Sequence, residues 1–165
     1  HVRDHCLCLH AQRAARALAR RFDEALHPLG IRSGQFSLLM SLNRPETPAL
    51  GAVAGLLGMD RTTLTANLKP LERDGLVKLL RDEKDLRARR PVLTDKGRAL
   101  LARAIPLWAG AHEEVERIIP GKQGGRLRAD LNALAGFPTT GEKQCREPVP
   151  PRRSAKSLPS RAARS

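Results

Sequence analysis

Between Asp60 and Gly75 the sequence gathers side chains suited to reading a polyanion. Arg61, Thr62, Thr63, Thr65, Asn67 and Lys69 carry cationic or hydrogen-bonding groups, and Leu64, Leu68 and Leu71 recur between them at helical spacing. A guanidinium can donate two bonds to one base edge and a carboxamide can donate one and accept one, while hydroxyls and an ammonium brace phosphates. Asp60 is placed to cap such a helix and Gly75 to end it. Pro70 removes one backbone donor and predicts a kink in the last turns, with the first two turns intact. Taken alone, the pattern also describes a core helix with a polar outer face, so its neighbours must decide.

Other reactive side chains are sparse. Cys6 and His10, four apart, could form half of a zinc site, and His112 could join them in a metal sensor or an enzyme. Cys6 and Cys8, two apart on a helix, point to nearly opposite sides and make a poor metal pair or internal disulfide. A Gly-rich phosphate loop, a Gly-x-Ser-x-Gly elbow and a His-Glu-x-x-His motif are all missing from the sequence. No enzymatic activity, cofactor or metal is therefore expected.

The composition favours helices. Of 165 residues, 41% are hydrophobic, yet there is no Tyr, one Trp and three Phe, so the core must be built from Leu, Ala, Val and Ile. Thirty Lys and Arg against seventeen Asp and Glu leave a formal charge of +13, whose field favours nucleic acid as partner. No run of about 18 apolar residues is present, and no membrane partner is expected. The chain begins at His1 with no visible signal peptide, and three cysteines without framework spacing fit a reducing cytoplasm.

The elements that must hold the reading stretch are legible on both sides of it. Residues 5–29 form a long amphipathic helix, with Arg13, Arg16, Arg20 and Arg21 between apolar positions; its small residues could pack within the domain or against a partner chain. Ser33 is the next candidate cap, for a helix whose Phe36, Leu39, Met40 and Leu42 face inward. A short helix from Ala49 to Leu57, a turn at Gly58 and the polar-faced helix from Asp60 give a helix-turn-helix. Residues 76–80 and 90–94 read as two strands around a charged loop at 81–89, a wing with a basic tip. Thr94 or Asp95 caps a helix to Ile119, which Pro106 should bend, and a short helix from Arg126 to Leu134 follows. Beyond Phe137 prolines, Arg and Ser replace the apolar period, with seven Lys and Arg against two Glu from Gly141 onward.

This order of elements resembles the MarR family of bacterial transcription regulators. The resemblance is carried by Leu56-Leu-Gly-Met-Asp-Arg-Thr-Thr-Leu64, Leu71-Glu-Arg-Asp-Gly-Leu-Val77, Asp85-Leu-Arg87 and Val92-Leu-Thr-Asp-Lys-Gly97, and spans roughly residues 5 to 136. It implies an obligate homodimer joined through its first and last helices, bound to a pseudo-palindromic operator. It also implies that Arg87 enters the minor groove, oriented by Asp85, a role that suits the narrow groove of A·T-rich DNA. Many members are released by small aromatic acids; His10, Arg13 and Arg16 near Phe36 and Met40 would suit such an effector. The peroxide sensors of the family activate a first-helix cysteine with tyrosines, which this chain lacks, so a buried, unreactive cysteine is expected in preference to a redox switch.

The expected architecture is mainly α: a winged helix-turn-helix at about 33–94 with a two-stranded wing, and dimerisation helices at about 5–29 and 95–136. Together these make a domain at 1–137, followed by a disordered basic tail at 138–165. The expected function is a cytoplasmic, sequence-specific DNA-binding regulator, a repressor released by a small effector. Alongside the helix residues Arg61 to Lys69, its DNA contacts would include Arg81, Lys84, Asp85, Arg87, Arg89 and Arg90. The rival readings are a sequence-indifferent packaging or RNA-binding protein and a cysteine-based redox-sensing regulator.

Overall fold

The computed structural model describes residues 2–46, 48–81 and 89–136; the expected tail and the wing tip at 82–88 lie outside them. The chain comprises two compact units, His1–Arg128 and Ala129–Ser165. In chain order the elements are α1 (Val2–His5), α2 (Leu7–Leu26), a 3-10 turn at His27–Leu29, α3 (Ser33–Leu42), α4 (Leu50–Leu56) and α5 (Arg61–Arg73). Strands β1 (Val77–Arg81) and β2 (Arg89–Leu93) follow, then α6 (Asp95–Ile118), a second 3-10 turn at Pro120–Lys122 and α7 (Gly124–Leu134). In the second unit, residues 129–134 are helical and Gly136 follows in the left-handed region.

One core organises the first unit. Leu26 of α2, Phe36, Leu38, Leu39 and Leu42 of α3, Val53 of α4, Leu64, Leu68 and Leu71 of α5, and Leu101 of α6 are buried together with Val77 and Leu93 of the wing. Helix α2 lies along α6 and both meet α3, while α4 packs on α5 and α5 on β1. Aliphatic side chains from every layer thus anchor the helix-turn-helix, as a composition poor in aromatics requires. The three leucines of α5 occupy the positions that helical spacing assigned to its inner face.

Several local readings are corrected by tertiary partners. The expected helix over 5–29 is interrupted at Cys6, whose sulfur accepts the Leu9 N–H at 3.4 Å and starts α2. Ser33 is the first helical residue of α3 and Arg32 its cap; the Ser33 N–H goes to Asp23 Oδ1 at 2.7 Å, and Gln35 Oε1 accepts the Arg32 N–H at 2.9 Å. Met40, expected inward with Phe36, is exposed, because the burial face of α3 runs through Leu38, Leu39 and Leu42. Pro70 and Pro106, at which bends were expected, lie inside α5 and α6 respectively and remove one backbone donor each.

The end of α5 and the start of α6 meet at the base of the wing. Gly75 adopts φ +70°, a left-handed turn that few other residues take, and the Leu76 N–H returns to Leu71 O at 2.8 Å. Thr94 then donates its hydroxyl to Gly75 O at 2.7 Å, donates its N–H to Leu76 O at 3.1 Å, and accepts the Gly97 N–H at 3.0 Å. One threonine therefore caps α6 and ties it to the exit of α5.

Candidate nucleic-acid interface

The first turn of α5 is set by Asp60. Its carboxylate accepts the Thr63 N–H at 2.8 Å and the Thr63 hydroxyl at 2.7 Å, and these bonds hold the carboxyl below its ordinary range. The turn before it brings Met59 N–H to Ala54 O at 2.9 Å, so α4 and α5 are joined by a closed, hydrogen-bonded connection. With Leu64, Leu68 and Leu71 facing the core, Arg61, Thr62, Thr65, Asn67 and Lys69 are left on the exposed surface of α5. Arg61, Thr62, Thr65 and Lys69, with Ala66 between them, line a shallow concavity of about 340 Å³.

Within this set the structure divides roles. Thr63 spends its hydroxyl proton on Asp60, and Thr65 donates to Arg61 O at 2.8 Å, so both hydroxyl oxygens face an outside ligand as acceptors. The Asn67 carboxamide lies 3.6 Å from the Met59 sulfur, a weak tether that leaves its oxygen available. Arg61 rests its guanidinium against Gly51 of α4. The sequence pattern did not single out Gly51, which only the packing of α4 on α5 brings beside Arg61.

The wing carries a second cationic row. Its register places Arg81 opposite Arg89 and Leu80 opposite Arg90, with Lys78 opposite Val92. Arg81 and Arg89 are exposed and Arg90 is half-buried. Two like charges paired directly across strands repel, so the strand ends favour an anion between them. Lys84, Asp85 and Arg87 lie outside the described residues.

The residues suggested for an effector do not form a described cavity. His10 contacts Asp4 O through Nε2 at 3.3 Å and is exposed, as are Arg13 and Arg16. Phe36 is buried with its ring centroid 6.1 Å from that of Trp108, which also stacks on Phe22 and His112. The larger described cavity, about 690 Å³, lies instead at the end of α2, lined by residues including Asp23, His27 and Arg32. Cys6 is half-buried and Cys8 exposed, where a buried thiol was expected. Among the described residues no cluster of three or more His, Cys, Asp or Glu could hold a metal, and no helix is long and apolar enough to cross a membrane.

Comparison with known proteins places these features. The model of the MarR family matches residues 31–88. The transcriptional regulator MosR of M. tuberculosis in complex with DNA superposes with a TM-score of 0.73 at 39% identity, over 80% of this chain and 95% of that one. The transcriptional repressor CouR bound to a 23-mer DNA duplex gives a TM-score of 0.72 at 30% identity, over 81% and 95% of the two chains. CouR from Rhodococcus jostii RHA1 bound to p-coumaroyl-CoA gives 0.70 at 26%, over 84% and 97%. The regulator TtmR of Methylorubrum extorquens (strain PA1) is 35% identical over 97 residues, 59% of this chain; the match spans half of that relative's length.

Proposed function

The chain belongs to the MarR family of DNA-binding transcriptional regulators, and from that premise we propose that it is a homodimeric repressor acting in the cytoplasm on a pseudo-palindromic operator. The observation that carries the reading is the exposed quartet Arg61, Thr62, Thr65 and Lys69, held side by side on α5 by a helix face buried in the core. A helix so presented fits the major groove, where Arg61 at its first turn reaches base edges. Arg81, Arg89 and Arg90 of the wing then follow the backbone, and DNA contacts by Lys84, Asp85 and Arg87, which lie outside the described residues, belong to the same proposal. No catalytic step is assigned to the chain.

Exposed apolar side chains support the dimer. Leu7 and Leu18 of α2, Ile105, Leu107 and Ile118 of α6 and Leu127 of α7 all remain accessible in the isolated chain. These are the helices that a two-fold partner would cover, and a two-fold protein matches a two-fold operator. Release by a small aromatic effector is supported by CouR, whose bound p-coumaroyl-CoA carries an aromatic acyl group as a thioester, and by the Phe22, Phe36 and Trp108 rings beside cationic α2. Trp108 is the one tryptophan, so its fluorescence would report such a ligand directly.

The deciding experiment compares a duplex that the wild type selects from a randomised pool with a random duplex of equal length. Arg61→Ala should cost about 1 to 3 kcal/mol on the selected duplex and much less on the random one. Equal losses on both would favour a sequence-indifferent coating protein, as would the absence of a bounded footprint.

A further inference from the structure

We infer that Gly51, on the helix preceding the reading helix, is a specificity-determining residue: its missing side chain sets the direction from which Arg61 approaches DNA. The inference rests on the assignment of α5 as the reading helix. Gly51 touches no DNA in this scheme and acts only through Arg61.

Four observations carry it. A Cβ placed on Gly51 would stand 3.1 Å from Arg61 Nη2, 3.8 Å from Nε and 3.9 Å from Cζ, so the guanidinium lies closer than a side chain at this position would ordinarily allow. Gly51 is not among the glycines with positive φ, so its backbone does not call for glycine, and alanine would be the better helix former. Gly55, on the same helix, has nothing within 4 Å of such a Cβ, so the close approach belongs to Gly51 and not to α4 in general. Finally, among the described residues no partner accepts a hydrogen bond from the Arg61 guanidinium, which leaves its close approach to Gly51 as the contact able to orient it.

The consequence follows from the geometry of the fork. A bidentate contact to a base edge needs both guanidinium donors aimed in one plane, and a displaced fork keeps its charge while losing that aim. A methyl group at Gly51 requires the neighbour to give by a few tenths of an ångström. A leucine there would move the group altogether. Arg61 would then still attract phosphate, but from a different direction.

The test uses the full chain in six forms: wild type, Gly51→Ala, Gly51→Leu, Gly55→Ala, Arg61→Ala and the Gly51→Ala/Arg61→Ala pair. Each is run through the same selection from a randomised duplex pool, followed by anisotropy titrations on the wild-type winner and on a random duplex, and by thermal melting. We expect Gly51→Ala, and Gly51→Leu more strongly, to relax preference at the base positions that Arg61→Ala relaxes. Affinity for the selected duplex should fall by about 5-fold or more, up to the roughly 150-fold of one bidentate contact, while random-duplex affinity and melting hold. Gly55→Ala should behave as wild type, and the pair should bind as Arg61→Ala alone. Wild-type base preference in Gly51→Ala, or a loss that persists in the Arg61→Ala background, overturns the inference. A pool from which the wild type itself recovers no consensus overturns the DNA-reading function, and this inference with it.

Discussion

Asp60 and Thr63 form a closed pair at the start of α5, in which one carboxylate takes both the backbone N–H and the hydroxyl of the same residue, at 2.8 and 2.7 Å. The pair makes Thr63 a part of the cap. Thr63→Val should therefore loosen the first turn and weaken binding to selected and random duplexes alike, in contrast to Arg61→Ala. A base-specific defect in Thr63→Val would show instead that the hydroxyl reads sequence.

The same pair gives a pH dependence. Thr63 bonds hold the Asp60 carboxyl below its ordinary range, the Ser33 backbone N–H does so for Asp23, and Arg98 for Asp95. A depressed carboxyl means that the unfolded chain binds protons first, so the stabilisation is present at neutral pH. It is lost as pH falls below the ordinary carboxylate range and through each lowered value. Melting temperature should fall over that acidic window, and Asp60→Asn, which still caps but does not titrate, should flatten the slope. An unchanged slope would leave the acid sensitivity to other groups.

Thr94 joins the two halves of the first unit. Thr94→Val removes the cap on Gly97 and the hydroxyl bonds to Gly75 and Leu76 carbonyls, and should cost about 1 to 2 kcal/mol in urea unfolding. Gly97→Ala should cost more, since its Cβ would be driven into the Leu76 carbonyl and the Leu93 side chain. If Gly97→Ala melts as the wild type does, the junction is softer than this packing implies.

Arg81 and Arg89 should separate folding from binding. They face each other across the wing, so replacing either with Ala removes a like-charge opposition and should leave stability equal or slightly higher. Each replacement should nonetheless weaken binding to any duplex and lower the slope of log affinity against log salt by about one. A salt series by anisotropy would reveal an unchanged slope if the wing stood clear of DNA.

The exposed leucines and isoleucines of α2 and α6 predict assembly. Sedimentation at micromolar concentration should give twice 18.1 kDa, and Leu18→Asp with Ile118→Asp should yield a folded monomer with lost affinity for the selected duplex. A wild type that sediments as a monomer would remove the basis for two-fold operator recognition.

What the sequence determined by itself was local. The cap at Asp60, the stop at Gly75 and the leucine period of α5 depend on residues within a few positions of one another, and the wing strands are consecutive elements of the chain, so spacing suffices to find them. The motifs around them also pointed to the family that the comparisons show. Tertiary structure decided the rest, because its partners are distant in the chain. Asp23 takes the Ser33 N–H from ten residues away, so the cap of α3 moves to Arg32. Met40, expected inward together with Phe36, falls outside the face that α3 turns to the core. Thr94 finds Gly75 across the whole wing. Gly51 looked like one more small residue in a short helix, and its meaning comes only from the arginine that the turn between α4 and α5 folds back against it.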